Sequence, residues 1–259
     1  MKTREIIRLE VTESTNSTGL ELGERGAVPG TVVVARAQTL GRGRLSRFWL
    51  SRPGMGLYFS LILRPELEPE DLSKITLAAG LAVAKAVEEL YRIEPKIKWP
   101  NDLLLNGRKF GGILTETGSV SHLPEAQNPL VVVGVGLNLF PPAGGFPAEL
   151  QQHATALSRH VEGEIDAEAL LQTCVGAIEK EVRRLEGGEF AAILAEWTKR
   201  DAVYGKTLSW ITRQGQAVTG VALGPDAEGL LRIRDGEGKI HSVLSGDLTL
   251  IAKFSGKAK

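Results

Sequence analysis

The chain has 259 residues, with 31 lysines plus arginines against 31 aspartates plus glutamates, so its formal net charge is zero. Apolar residues make up 42% and charged residues 24%, which excludes global disorder, and the zero balance excludes a protein whose main business is coating nucleic acid. One cysteine, Cys174, excludes an intrachain disulfide and a multi-cysteine zinc or iron–sulfur site, and it fits a reducing compartment.

Residues 1–10 alternate charged and apolar side chains and hold no apolar leader core. The most apolar helical stretch, residues 75–87, is interrupted by Lys85 and is too short to span a bilayer. The expectation is a cytoplasmic protein without membrane association. Residues 3–11 are β-like, and Ser14, Thr15 and Asn16 offer N-cap side chains for a helix running toward Arg25. Residues 31–35 have a buried-strand pattern. Residues 38–54, rich in Gly, Arg and Ser, read as a loop, and 57–63 as a strand stopped by Arg64-Pro65. Residues 70–91 are predicted as the longest amphipathic helix. Strands are expected near 96–99, 103–105, 109–117 and 130–139, with Asn106-Gly107 as a hairpin turn. Pro141-Pro142-Ala143-Gly144-Gly145 breaks the chain before helices at 167–185 and 189–199.

After Asp201 the texture changes. Residues 206–253 carry about five short β-type runs. They are separated by Gln214-Gly215, Gly224-Pro225-Asp226, Asp235-Gly236 and Ser245-Gly246-Asp247, which by pattern is a small barrel. The expected fold class is α+β: a mixed-sheet domain over 1–203, then a small all-β domain over 204–259.

The most informative segment runs from Arg36 to Arg52. It holds arginines at 36, 42, 44, 47 and 52 and no acid. Forked guanidinium donors suit phosphate or carboxylate. Gly41 and Gly43 are expected to let the backbone approach a ligand and adopt positive φ, and Trp49 to stack on a base or an arginine. Read alone, the segment is either an anion site or a solvated basic loop. In Lys98-Trp99-Pro100-Asn101-Asp102, Pro100 stiffens a turn, and Asp102 is either a turn former or a carboxylate for metal or proton work. Lys109 precedes the paired Gly111-Gly112, which weaken a strand unless something must approach its backbone. It is a candidate cation for charge developing on phosphate.

Standard nucleotide signatures do not account for these segments. Gly205-Lys206-Thr207 has Arg200 where a phosphate-binding loop needs its first glycine. Gly134-Val135-Gly136-Leu137-Asn138 lacks the third Rossmann glycine, and alone it is a tight strand exit or a binding loop. His122, His153, His160 and His241 show no metal-binding spacing and are expected in structural or surface roles. Cys174 reads as a small core residue.

Taken together, Ser14-Thr15-Asn16, Gly41-Arg42-Gly43-Arg44 with Trp49, Lys98 to Asp102, Lys109 to Glu116 and Gly134 to Asn138 resemble biotin protein ligases in order and spacing. The segment from Trp197 through Asp201 to Gly205, with the tail ending in Ser245-Gly246-Asp247, resembles that family's small C-terminal domain. The resemblance implies a catalytic domain of the biotin/lipoate ligase type followed by an SH3-like β-barrel. It implies ATP and biotin as substrates with Mg²⁺, a biotinyl-5′-AMP intermediate, and transfer to a lysine of a biotin carboxyl carrier domain. It places Ser14, Thr15, Gln38 and the backbone at Arg42 at the ureido end of biotin, and counts Asn16, Gly43 and Arg44 among the biotin-binding residues. It places Gly112, Leu114, Gly134 and Gly136 along an apolar wall. Arg42 and Arg44 would neutralise and position the anionic reactants, and Lys109 would meet the biotin carboxylate and the α-phosphate. Trp49 and Asn138 would hold adenine, and Asp102 would assist the incoming lysine or the metal.

Two departures stand out. Ser46 replaces a glycine common in the family's Gly-Arg loop, which implies a stiffer loop. Ser14 lies 13 residues into the chain, so the DNA-binding winged helix of the larger family members is not expected, nor is sequence-specific DNA binding. This resembles the monofunctional ligase. A homodimer through a sheet edge is an expectation that no sequence pattern carries. A lipoate ligase, which would have a different Gly-rich loop, and a biotin-binding module without catalysis are the alternatives. Intact Arg42, Arg44 and Lys109 speak against the second.

Overall fold

The computed structural model describes residues 4–118, 128–211, 217–243 and 248–250. In chain order the larger part holds β1 (Ile6–Thr12), α1 (Thr15–Glu24), β2 (Val32–Gln38), β3 (Gly56–Leu63), α2 (Lys74–Tyr91), β4 (Lys96–Lys98), β5 (Asp102–Leu105), β6 (Arg108–Thr117), β7 (Val131–Asn138), α3 (Ala167–Glu186) and α4 (Phe190–Thr198). Then follow β8 (Thr207–Ile211), β9 (Ala217–Pro225), β10 (Leu231–Asp235), β11 (Ile240–Val243) and β12 (Leu248–Leu250). The first seven strands form one mixed sheet in the order β1-β2-β3-β7-β6-β5-β4. β1 and β2 run parallel, joined across α1, and the other neighbours are antiparallel. Asn106 and Gly107 turn β5 into β6 with φ of 47° and 75°, the left-handed pair that a tight hairpin requires.

The two faces of this sheet differ. Along β7, Val131, Val133, Val135 and Leu137 join the main core, whereas Val132, Gly134, Gly136 and Asn138 lie on the other face, because successive side chains alternate. α2 and α3 cover the first face, and α4 packs on those two helices. α1 covers only one end of the second, where Ile62, Leu130 and Val132 pack with Leu20 and Leu22. The rest of that face is left open.

α2 departs from the expected amphipathic helix. It begins at Lys74, after a 3-10 turn over Pro69–Asp71, and α3 is longer, 20 residues against 18. From Ile75 to Val87 only Thr76 and Lys85 escape burial, because most of α2 lies between the sheet, α3 and α4, which leaves chiefly Lys85 and the last turn, Glu88 to Leu90, in contact with solvent. Lys85 reaches out to the buried Glu181, which also binds Arg184 at 2.7 Å, and Arg184 binds Glu196 at 2.9 Å, tying the three helices together. Asp166 caps α3 by accepting from the amides of Glu168 and Ala169, both at 2.9 Å. Cys174 is fully buried in α3, and burial pushes its thiol well above the usual range, consistent with a core residue.

The last five strands form an antiparallel sheet in the order β11-β10-β9-β8-β12. The expected turns at Gln214-Gly215 and Ser245-Gly246-Asp247, and His122, lie outside the described residues. Leu208, Trp210, Ala222, Leu231, Ile233 and Val243 belong to the same buried cluster as α2 and α3. The Trp99 indole donates to the Gly229 carbonyl at 2.9 Å, and Ile97 exchanges backbone bonds with Arg200 and Ala202, both at 2.8 Å. The sheets therefore change near residue 203 while the core runs across the boundary. At this junction burial pushes the Asp201 carboxyl up to about 6, even though it accepts from the Val203 amide. Among the described residues, no helix is long and apolar enough to cross a membrane.

Candidate active site

The open face of the large sheet is the floor of a cleft of about 680 Å³. Strand register brings its small residues together: Gly136 lies beside Gly112 and Tyr58, and Gly134 beside Leu114 and Ser60. These glycines answer to their neighbours. A Cβ on Gly134 would stand 2.1 Å from the Asn16 amide oxygen, and one on Gly136 would stand 2.6 Å from the Trp49 indole nitrogen. Gly134 to Asn138 is therefore a central strand and neither a strand exit nor a loop, and its glycines admit side chains that cross over it.

One end of the floor is a buried polar network. The Thr15 amide donates to the Gln38 side-chain oxygen at 2.8 Å, and the Gln38 nitrogen donates to the Ser51 hydroxyl at 2.8 Å. The Ser60 hydroxyl lies 2.8 Å from the Thr15 hydroxyl and 2.6 Å from the Asn16 amide oxygen. The Asn16 nitrogen donates to the Leu114 carbonyl at 3.0 Å and to Glu116 at 2.7 Å. Asn16 thus braces α1 against β3 and β6 with its whole amide. Ser14 stands at the N-cap of α1 but makes no capping bond, and its buried side chain lines the cleft.

The Gly-Arg segment forms the roof. It is not a plain loop: antiparallel bridges pair Gln38 with Ser51 and Arg42 with Phe48, around a 3-10 turn at Arg44–Ser46. The left-handed backbone falls on Leu45, at φ 55°, and Ser46, at φ 58°, and neither Gly41 nor Gly43 has positive φ. The hairpin explains the shift. A Cβ on Gly41 would stand 2.4 Å from the Trp49 carbonyl, so Gly41 serves strand closure, while the turn beyond Arg44 carries the strained backbone. Arg42 binds Glu116 at 2.9 Å, the same carboxylate that holds Asn16.

Lys109 sits where roof and floor meet. Its ammonium pairs with Asp102 and lies 5.2 Å from the Trp49 ring centroid. Asp102 is held there because Asn101 fixes the turn, donating to the Ile113 carbonyl at 2.8 Å and accepting from the Ile113 amide at 3.0 Å. The bond between Trp99 and Pro100 is cis. Asn138, at the end of β7, donates to the Thr155 carbonyl at 3.1 Å.

Ser14, Thr15, Asn16, Gln38, Arg42, Gly43, Arg44, Trp49, Asp102, Lys109, Gly112, Leu114, Gly134, Gly136 and Asn138 all line this one cleft. The sequence reading passed over Leu45, Phe48 and Leu50 on the roof, and Phe146, Leu150, His153 and Ala154 on the segment after the proline break. No periodicity marks that segment. Its only signals were an isolated Phe among glycines and a histidine taken as structural. His160 does have internal partners, the Thr155 hydroxyl at 2.8 Å and Asn106 at 3.3 Å. Among the described residues, no group of three or more His, Cys, Asp or Glu side chains is placed to hold a metal. Mg²⁺ commonly needs only one or two carboxylates when substrate phosphates supply other ligands. Asp102, which lines the cleft beside Lys109, fits that supporting role.

The biotin/lipoate A/B protein ligase family model matches residues 9–138. The chain is 38% identical over 245 residues to the bifunctional ligase/repressor BirA of Bacillus subtilis, covering 95% of this chain and 74% of that protein. It is 33% identical over 235 residues to the biotin–[acetyl-CoA-carboxylase] ligase of Paracoccus denitrificans, covering 88% and 93% of the two chains. The biotin protein ligase from Aquifex aeolicus, solved in complex with biotin and ATP, matches with a TM-score of 0.81 at 29% identity, over 96% of this chain and 99% of that one. The chain belongs to the biotin/lipoate A/B protein ligase family. Within that family it is a biotin protein ligase.

Proposed function

We propose that this enzyme joins biotin to ATP as biotinyl-5′-AMP and then transfers the biotinyl group to a lysine of a biotin carboxyl carrier domain. In the first step a biotin carboxylate oxygen forms a bond to the α-phosphorus, and the bond to the pyrophosphate oxygen breaks. In the second, the carrier amine attacks the acyl carbon, AMP leaves, and the amine loses a proton. The observation that carries this reading is Lys109, one cation between the glycine floor and the Trp49 roof. There it can meet carboxylate and α-phosphate together and offset the charge that develops between them.

The roles follow from chemistry. Ser14, Thr15 and Gln38 offer polar groups at the walled end of the floor, where a ureido group would find partners. Gly112, Leu114, Gly134 and Gly136 would line the apolar wall beside the fused rings, with Asn16 crossing Gly134 and Trp49 crossing Gly136. Arg42 and Arg44 draw the two anions together. Trp49 offers a stacking face and Asn138 an amide to adenine. Mg²⁺ arriving with ATP would add charge neutralisation at the phosphates, with Asp102 as its carboxylate. Alternatively, Asp102 would assist the incoming amine by taking its proton. Residues 204–259 would form an SH3-like barrel that serves carrier or ATP engagement, the catalytic part being 1–203. We also assign this chain a cytoplasmic location, no sequence-specific DNA binding, and a homodimer through β1 at the sheet edge. The neutral net charge supports the second and the edge position of β1 supports the third.

The test is pyrophosphate release with ATP and Mg²⁺ in the presence of biotin or of lipoate, followed by transfer of labelled biotin to a carrier domain. Biotin-dependent release and labelling of a single carrier lysine are expected. Release with lipoate alone would make the chain a lipoate ligase, and tight biotin binding without release would make it a binding module.

A further inference from the structure

β7 ends at Asn138, and the Leu139 amide turns away to the Met55 carbonyl at 2.8 Å. β6 extends further, to Arg108, so Lys109 lies beyond its neighbour's end. A strap of irregular chain takes the vacated place. The Lys109 amide donates to the His153 carbonyl at 2.7 Å, the Thr155 amide donates to the Lys109 carbonyl at 2.8 Å, and Ala154 bridges Lys109 in parallel register. Thr155, 1% exposed, is the centre of this arrangement. Its amide holds the backbone of Lys109, its carbonyl holds the Asn138 amide at 3.1 Å, and its hydroxyl meets His160 Nε2 at 2.8 Å. On the far side of the ring, Nδ1 faces Asn106 Nδ2 at 3.3 Å. An amide nitrogen only donates, so Nδ1 accepts and the ring proton sits on Nε2, directed at Thr155. Burial, then Arg108 and Arg159, hold the imidazole below its ordinary pKa and favour this neutral form.

We propose that Thr155 and His160 are positioning residues for the nucleotide half of the reaction. Through one buried residue they set both the cation at the phosphates and the amide at the base. The proposal rests on the roles given above to Lys109 and Asn138. Its chemical consequence concerns base selection. With its nitrogen committed to the Thr155 carbonyl, Asn138 has its oxygen to offer, an acceptor that suits the exocyclic amine of adenine and opposes the oxygen of a 6-oxopurine. Losing the Thr155–His160 bond would free the strap to shift and let the Asn138 amide turn.

The experiment measures KM for ATP, kcat, the ratio of ATP to inosine triphosphate use, and biotin Kd on the full chain. The variants are Thr155→Val, Thr155→Ser, His160→Leu and Asn138→Ala. Thr155→Val and His160→Leu are expected to raise KM for ATP about tenfold, in keeping with one lost hydrogen bond. They should also narrow the preference for ATP and leave biotin Kd within about twofold. Thr155→Ser should restore wild-type values. If Thr155→Val does not fold, His160→Leu, at a partly exposed side chain, decides the question. Unchanged KM and base preference in these variants, with a raised KM in Asn138→Ala, would refute the positioning role and leave the proposed function standing. An unaffected Asn138→Ala would remove the adenine role and the positioning proposal together. A parallel loss of biotin affinity would reduce the strap to scaffolding.

Discussion

The floor and the roof of the cleft are built on opposite principles. The floor is strand backbone beside a buried polar network: Thr15, Asn16, Gln38, Ser51 and Ser60 bond to one another, and Asn16 reaches on to Leu114 and Glu116. The roof is a short hairpin with Leu45 and Phe48 59% and 63% exposed, two residues in left-handed backbone, and arginines at its edge. A buried, satisfied network holds shape and admits little change. An exposed hairpin stabilised by few apolar contacts can open and close at small cost. Under the proposed function, the floor would select the ligand by shape while the roof would supply charge and cover.

The largest expected effect lies where the two meet. Lys109→Ala should lower pyrophosphate release by about 10²–10³-fold, the usual loss for one preorganised donor. Calorimetric biotin affinity should fall far less. Equal losses would make Lys109 a ground-state binding residue and assign it to the floor. Gly134→Ala probes the floor alone. Its new methyl would meet Asn16, an amide with no spare freedom, so the fold should lose about 1–3 kcal/mol in a chemical melt, as overpacked sites do. Biotin affinity should drop along with it, while a fully retained affinity would show that Asn16 can yield.

Asp201, outside the cleft, sharpens the contrast: it is half-buried at the junction, and its partners do not satisfy both of its oxygens. One of its oxygens is buried without a hydrogen bond. Its carboxyl is raised from 3.8 to about 6 by burial. The folded chain therefore holds this proton where the unfolded chain has released it. The associated stability is present below pH 3.8 and is lost as pH rises through about 6. Above that pH the buried carboxylate costs about 3 kcal/mol. Asp201→Asn should raise the melting temperature at pH 8, with the gain shrinking as pH falls from 6 toward 4. A gain independent of pH would place the cause elsewhere.

The smallest effect belongs to the roof. Ser46 adopts φ 58°, which costs a side-chain-bearing residue about 1–2 kcal/mol relative to glycine. Ser46→Gly should relieve part of this strain. It also gives the empty hairpin more conformational freedom, so global stability should shift by less than about 1 kcal/mol. The sensitive readout is proteolysis within residues 38–52 with and without biotin. Faster cleavage of the empty variant, with protection on ligand binding, is expected. Equal cleavage in both states would mean that the roof does not respond to the ligand.

Much of the fold was legible because its signals are local. Strand alternation, the Asn106-Gly107 turn and the change of texture after Asp201 each act within a few residues. α2 is more buried than an amphipathic reading implies, because the sheet, α3 and α4 enclose most of its length and leave chiefly Lys85 and its last turn to solvent. Gly41 and Gly43 looked like the flexible points of the roof, but a bridge from Arg42 to Phe48 moved the left-handed turn onto Leu45 and Ser46. The strap at His153–Thr155 was illegible. Its bonds to Lys109 and Asn138 are made by backbone groups, which are the same in every residue, and the Thr155 hydroxyl finds His160 only once the segment is folded.

The sequence by itself determined which chemistry is available: arginines without nearby acids, a lysine beside glycines, a tryptophan, and polar residues at the start of a helix. Their order also sufficed to suggest the family. Only the tertiary structure decided how they meet. Strand register set Gly134 against Asn16 and Gly136 against Trp49, and the end of β7 opened a place for the strap that joins Lys109 to Asn138. Register and strand ends depend on long-range hydrogen bonds and on burial of a shared face. Residues 23 to 100 positions apart acquire a common geometry only when the sheet closes around them.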